Sequence, residues 1–121
     1  MELLAAYAAG LQDIEAFRYL FLLYLFDRTG SVALVRRPFL DDSPHGISAS
    51  RHPCRPNGID HSVVRLLERQ GRHLTIEGVD VLDGTQMLDI KPYTPRFDCI
   101  PFASEGWFSG RPLRTKPAGL E

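Results

Sequence analysis

The apolar residues fall into short runs whose spacing changes along the chain. Over residues 18–26, "RYLFLLYLF", aromatics alternate with leucines and no polar residue follows Arg18. A helix there would have no polar face, so the run predicts a strand buried on both sides. Its eight apolar residues, 19–26, are far too few to cross a bilayer. Ahead of it, Leu11, Ile14 and Phe17 stand at helical spacing and predict one helical turn, after an alanine-rich lead-in over residues 3–10 that is irregular or weakly helical. Residues 31–37 predict a second strand stopped by Pro38, and residues 39–50, "FLDDSPHGISAS", a long polar loop. Further on, "SVVRLLERQ" and "RHLTIEGV" alternate on either side of Gly71 and predict a hairpin. "VDVLDGTQMLDIKPY" then predicts a short strand, a turn at residues 83–85 and another strand over 87–90. Several short strands with little helix make the chain mainly β. The expected architecture is a small antiparallel barrel with one short helical turn.

The segment between the polar loop and the hairpin, "RHPCRPNGID", is built differently. Pro53 and Pro56 fix their own φ and push His52 and Arg55 toward extended geometry. A loop stiffened before its ligand arrives loses less entropy on binding, so Arg51 and Arg55 are expected to be held out on a constrained frame. Asn57 and Gly58 supply the tolerance for positive φ that a turn requires, and a turn alone would explain them equally well.

Composition sharpens this picture only in part. The 121 residues, 44% hydrophobic and 24% charged, fit one soluble domain spanning residues 1–121, and the net charge of −1 rules out a global field for polyanions. Between residues 36 and 73, however, seven arginines face four acids and all four histidines occur; from residue 74 onward seven acids face five basic residues. Two cysteines, Cys54 and Cys99, and no signal-like start point to free thiols in the cytoplasm. His45, His52, Cys54 and His61 lack the spacing that gathers ligands on one metal, so no metal site is expected. No GxGxxG or Walker loop is present, which excludes a Rossmann nucleotide fold, and no Gly-x-Ser-x-Gly elbow or cysteine nucleophile signature occurs. Beyond Phe97 the chain turns to Pro, Gly and Ser, with Trp107 and Phe108 as isolated anchors and residues 111–121 as a tail, mobile or bound to a partner.

"SASRHPCRPNGIDHSVVRL" followed by "GVDVLDGTQMLDIKPYTP" resembles the paired signatures of the TsaA-like, or TrmO, family, and the likeness extends upstream through "YAAGLQDIEAFRYLFLLYLFDR" to cover the chain up to about Phe97. Members are S-adenosylmethionine-dependent methyltransferases that methylate N6 of threonylcarbamoyladenosine beside the tRNA anticodon. They are small β-barrels that dimerise. Gly58 and Asp60 stand where members usually have a second proline and a final glycine, and His61 replaces an apolar residue. Members also begin with a further N-terminal strand and loop, which the resemblance implies this chain lacks.

What the resemblance implies about the site is specific. Asp27 and Arg28 match the pair that ends the central strand, Arg51 the arginine opening the stiff loop, and His61 the residue covering the cofactor. Val79, Asp80, Val81 and Leu82 match the segment whose backbone, with Asp80, would hold adenosine. Arg55, Asn57, Lys91 and Tyr93 match positions exposed toward the substrate. A base or charge-stabilising group is needed at N6, and Asp83, Tyr93 and Lys91 are the candidates. Arg51, Arg55, Arg65, Arg69 and Arg72 would meet the phosphates of a tRNA anticodon loop. Two alternatives stay open: a methyltransferase of a small molecule or another nucleotide, and a non-catalytic barrel that serves as an interaction module.

Overall fold

The computed structural model describes residues 1–25, 32–37, 43–52, 55–78 and 85–110. Of these, residues 1–23, 61–78 and 88–99 form one compact unit, and 24–25, 32–37, 43–52, 55–60, 85–87 and 100–110 a second. The strands are β1 (Tyr19–Leu25), β2 (Val35–Arg36), β3 (His45–Gly46), β4 (Ile59–Gln70), β5 (His73–Glu77) and β6 (Gln86–Pro92). Four of them make one sheet in the order β5-β4-β1-β6, and β2 with β3 makes another. The fold is predominantly β and antiparallel, as expected. Among the described residues, however, the sheet stays open and does not close into a barrel.

In the first unit, alternation along β1 buries Leu20 and Leu22, which together with Val64 of β4 and Leu74 of β5 are at most 1% exposed. Leu11 and Ile14, from the 3-10 turns Ala5–Leu11 and Ile14–Ala16, complete this buried layer. Each such side chain contributes about 1.5–3 kcal/mol relative to exposure. The helical turn expected from the Leu11, Ile14, Phe17 spacing is therefore present, in the tighter 3-10 form. The both-sides-buried strand is not. On the opposite face of β1, Tyr19 is 43% exposed and Phe21 and Leu23 are only half-buried.

The hairpin at Gly71 closes as the alternation predicts. Gln70 pairs with His73 and leaves a two-residue loop, Gly71-Arg72, with Gly71 at φ 59°. Glycine in the first loop position fits the II′ class, whose twist matches that of the strands. A bulge between Leu66 and Glu68 shifts the register and turns Arg69 to lie opposite Leu74. The outer edge of β5 is occupied by the chain start: Leu3 N–H donates to the Arg72 carbonyl at 2.9 Å and Leu74 N–H to the Met1 carbonyl at 2.7 Å. Glu2 adds an ion pair to Arg72 at 3.0 Å and a hydrogen bond with His73 at 2.8 Å. That edge is thereby shielded from pairing with another chain.

The second unit has less regular structure. Among the described residues of the strand expected over 31–37, Val35–Arg36 forms, and the expected polar loop supplies its partner, with Val35 opposite Gly46 and Arg36 opposite His45. Ile47 follows, 5% exposed, its N–H bonded to the Leu34 carbonyl at 2.7 Å, and opens a 3-10 turn to Ala49. Polar composition hid this element, since one buried isoleucine carries it. Residues 79–82 and the turn after them, expected to be a short strand and bend, and the tail 111–121 lie outside the described residues apart from Thr85.

Candidate functional site

In the first unit the residues assigned to chemistry gather on the open face of the sheet. Tyr93 follows β6, and its N–H donates to the Tyr19 carbonyl at 3.0 Å, which fixes the end of β6 against the start of β1. This pairing puts the Phe21 ring 5.5 Å from that of Tyr93, tilted by 54°, and 6.2 Å from the imidazole of His61 on β4. Tyr19 meets Tyr93 edge-on at 6.5 Å. A row His61, Phe21, Tyr93, Tyr19 therefore crosses three strands, joining one residue expected at the cofactor with one expected at the reacting nitrogen. Such offset and edge-on pairs are worth about 0.5–1.5 kcal/mol each beyond area burial. Phe21, the middle of the row, was not singled out from sequence. The alternation of β1 was the available signal, since burying Leu20 and Leu22 forces Phe21 outward.

Next to this row opens a cleft of about 550 Å³, lined by Phe17, Phe21, Lys91, Pro92, Thr94, Arg96, Phe97 and Asp98. Its far wall is the short helix α1 (Pro95–Asp98), which the sequence did not announce. Pro95 at its first position has the φ a helix needs, and the two ends close on each other: Asp98 N–H donates to the Thr94 carbonyl at 2.9 Å, and Thr94 N–H to Asp98 Oδ2 at 2.9 Å. Phe97 projects from it 76% exposed.

Arg65, expected at the substrate, is exposed on β4 opposite Glu77 of β5. The other arginines of that expectation are placed differently. Arg69 donates to Glu15 at 2.6 Å, to the Leu11 carbonyl at 2.9 Å and to the Gly71 carbonyl at 2.7 Å, tying the N-terminal turns to the hairpin. Arg72 pairs with Glu2 at 3.0 Å. Both serve contacts within the chain.

In the second unit, the loop read as stiff is held by more than proline. Arg55 turns its guanidinium back, one nitrogen donating to the carbonyls of Ser50 at 2.7 Å and His52 at 3.3 Å. Ser50 Oγ donates in turn to the Ile47 carbonyl at 3.1 Å. Gly58 N–H returns to the Arg55 carbonyl at 3.2 Å and Gly58 takes φ 61°, so the Pro-Asn-Gly turn forms as expected. Arg51 is exposed, as is Asn57. Burial, with the guanidinium groups of Arg36 and Arg55 adding to it, pushes the His52 imidazole below its ordinary value, so His52 is neutral at pH 7. Trp107 anchors the same region: its indole N–H donates to the Ala49 carbonyl at 2.6 Å, and its ring stacks on His45 at 4.6 Å and on Phe108 at 3.9 Å. The isolated anchors expected from the sequence are thus one aromatic stack.

Asp27, Arg28, Val79, Asp80, Val81, Leu82 and Asp83 lie outside the described residues. Among the described residues, no three His, Cys, Asp or Glu side chains come together as a metal site, and no helix is long and apolar enough to cross a membrane.

Comparison with known proteins places this arrangement. A probable S-adenosyl-L-methionine-binding protein of Pyrococcus abyssi is 46% identical over 107 residues, which are 88% of this chain and 58% of that protein. A tRNA (adenine(37)-N6)-methyltransferase of Homo sapiens is 33% identical over 74% of this chain and 21% of its own. A crystal structure of TrmO superposes with a TM-score of 0.76 at 38% identity, over 88% of this chain and 48% of that one. The chain thus spans little more than half the length of these relatives, or less. Residues 1–99 match the tRNA-methyltransferase O N-terminal domain, and the chain belongs to that family.

Proposed function

We propose that the protein is an S-adenosylmethionine-dependent methyltransferase that methylates N6 of threonylcarbamoyladenosine next to the tRNA anticodon. The observation that carries the reading is the row His61, Phe21, Tyr93 beside Lys91, with His61 exposed and the other two rings half-buried, in a chain of this family. What the described residues offer fits the cofactor. Ring faces attract a sulfonium cation within about 6 Å, and adenine stacks on the same surfaces. His61 and Arg51 would hold it, together with Asp27, Arg28, Val79, Asp80, Val81 and Leu82. When bound, S-adenosylmethionine supplies an electrophilic methyl group whose sulfur is an excellent leaving group.

The protein's own work is alignment and proton handling. The N6 nitrogen carries a proton and is a weak nucleophile, so the new C–N bond requires that proton to leave. Tyr93, fixed by its backbone bond to Tyr19 and its contact with Phe21, has a phenolic oxygen suited to accept a hydrogen bond from N6. Lys91 adds positive charge for the negative charge that develops on the carbamoyl oxygen, and the Asp83 carboxylate is the candidate that takes up the departing proton. Arg55, Asn57 and Arg65 contact the RNA. The protein acts in the cytoplasm as a homodimer, for which Val32, Leu34 and Val35 of the second unit, 54–66% exposed, offer apolar surface.

The use of Arg55, Arg69 and Arg72 inside the chain favours, as the second reading, a smaller nucleotide substrate with few phosphates. Incubation with methyl-labelled cofactor and, in separate reactions, bulk tRNA digested afterwards to nucleosides or a pool of free nucleotides tests both. Label in N6-methylated threonylcarbamoyladenosine is the expected result. Label in another nucleotide selects the second reading, and cofactor binding with no label in any RNA or nucleotide overturns both.

A further inference from the structure

We infer that the cleft between Phe21 and α1 is a nucleotide subsite, which holds an RNA nucleotide flanking the reacting base. This assignment rests on the RNA reading above and names which part of the substrate the first unit grips. The cleft's volume of about 550 Å³ suits one nucleotide and not a folded RNA element. Its walls are of two kinds. Phe17, Phe21, Pro92 and Phe97 are ring or apolar surfaces, and Phe97 keeps 76% of its surface in water, an arrangement without a packing purpose for so large an apolar group. A base stacked on it would remove that surface from water, and such stacking works for any base because every base has a π-face.

Lys91 and Arg96 supply the complementary charge. Among the described residues neither forms an ion pair, whereas the one carboxylate in the cleft, Asp98, accepts the Thr94 N–H at 2.9 Å and is committed to holding α1. Arg96 beside an open aromatic ring matches a base joined to a phosphodiester, with Lys91 left on the side of the reacting base. Phe21 belongs to both the cleft and the row that ends in Tyr93, so a base in the cleft sits one ring away from the group expected at N6. That distance in the structure is what a neighbouring nucleotide needs when the target base is splayed out of its stack.

The test uses the full chain, a fluorescein-labelled single-stranded RNA heptamer read by anisotropy, and S-adenosylmethionine titrated by calorimetry. Phe97→Ala should raise the RNA Kd at least fivefold. Arg96→Gln should raise it by a similar factor and lower the salt slope by about 0.7, the contribution of one phosphate contact on a single strand. Cofactor Kd should stay within twofold in both, and Phe97, being exposed, can be removed without touching the buried layer. Unchanged RNA Kd in both variants overturns the assignment even where the wild-type protein methylates tRNA, and the proposed function then stands alone. Weakened RNA binding in a protein that transfers no methyl group has the opposite meaning: the subsite stands and the reaction falls. A parallel loss of cofactor affinity assigns the cleft to the cofactor instead. Backbone amide signals of Thr94, Arg96, Phe97 and Asp98 that shift with protein concentration and not with RNA assign it to a second copy of the chain. Either result overturns the proposal, as does a wild-type protein with no RNA affinity.

Discussion

Leu11, Ile14, Leu20, Leu22, Val64 and Leu74 give the first unit a buried layer drawn from four stretches of chain, whereas the described part of the second unit buries only Tyr24 and Ile47 among its apolar side chains. What the second unit has instead is directed contacts: an indole on a backbone carbonyl, a guanidinium on two more, and stacked rings. The two kinds of construction differ in how they respond to damage. Apolar burial is summed over many neighbours and tolerates exchange of similar shapes, while a directed bond depends on one atom in one place. The sheet is therefore expected to be robust in geometry and sensitive to volume. The loop unit should behave the opposite way.

The largest effect that separates them is Leu22→Ala. Leu22 is 1% exposed, and truncation removes its transfer energy and leaves a cavity, at a cost of about 2–5 kcal/mol. Urea unfolding followed by far-UV circular dichroism measures it. Leu22→Met, which conserves volume, should cost less than about 1.5 kcal/mol. Equal losses in the two variants would mean that the first unit depends on shape as narrowly as the second.

Trp107→Ala comes next, at about 1–3 kcal/mol, from one lost hydrogen bond and the loss of stacking. Trp107→Phe keeps the ring and loses only the bond to the Ala49 carbonyl, so it should cost about 0.5–1.5 kcal/mol. Because Trp107 is the only tryptophan, its fluorescence in the wild-type protein reports on the second unit alone, while circular dichroism is dominated by the sheet. Coincident urea transitions by the two probes would show one cooperative molecule. A fluorescence transition at lower urea would show that the directed contacts fail first.

The same division explains what could be read from sequence. β1, β4, β5 and the turns at Leu11 and Ile14 were legible because alternation and helical spacing record a buried face directly. The open face of β1 was misjudged, since an unbroken apolar run does not say whether its second face meets protein or ligand. β3, α1 and the Trp107 stack left no periodic trace. β3 and the stack rest on one or two residues whose partners are distant in sequence, as Trp107 and Ala49 are, and α1 is a single turn too short to show a period. For the site, His61, Tyr93 and Lys91 were named from a family resemblance and the sheet register brought His61 and Tyr93 to either side of Phe21. Phe21, Arg96 and Phe97 carry no motif of their own and emerged only from that register and from α1.

Gly71→Ala sharpens the comparison at a smaller scale. At φ 59° alanine is strained by about 1–2 kcal/mol, although a Cβ there would meet nothing within 4 Å. The cost is therefore conformational and should appear in the hairpin of the first unit. Replacement by Asn, whose tolerance covers the left-handed helical region and not the ψ of a II′ first position, should recover little of it in the same urea measurement.

The smallest expected effect tests the electrostatics of the second unit. Burial, then Arg36 and then Arg55, hold the His52 imidazole below its ordinary 6.5, so between that value and the lower one of the folded state the unfolded chain binds the proton more readily. Stability then rises with pH across this window. The protein should lose stability as pH falls through 6.5, and this contribution should level off once His52 is protonated in both states. Since His52 is only partly buried, solvent screens the two arginines, which is why the effect ranks last. The check is the urea midpoint from pH 7.5 to 5 in the wild-type protein and in His52→Gln, read by Trp107 fluorescence. The variant should show the shallower decline, and added salt should narrow the difference only by the share the guanidinium groups supply, leaving the part due to burial. Identical slopes in the two proteins would show that His52 is as open to water as the exposed Arg51 beside it.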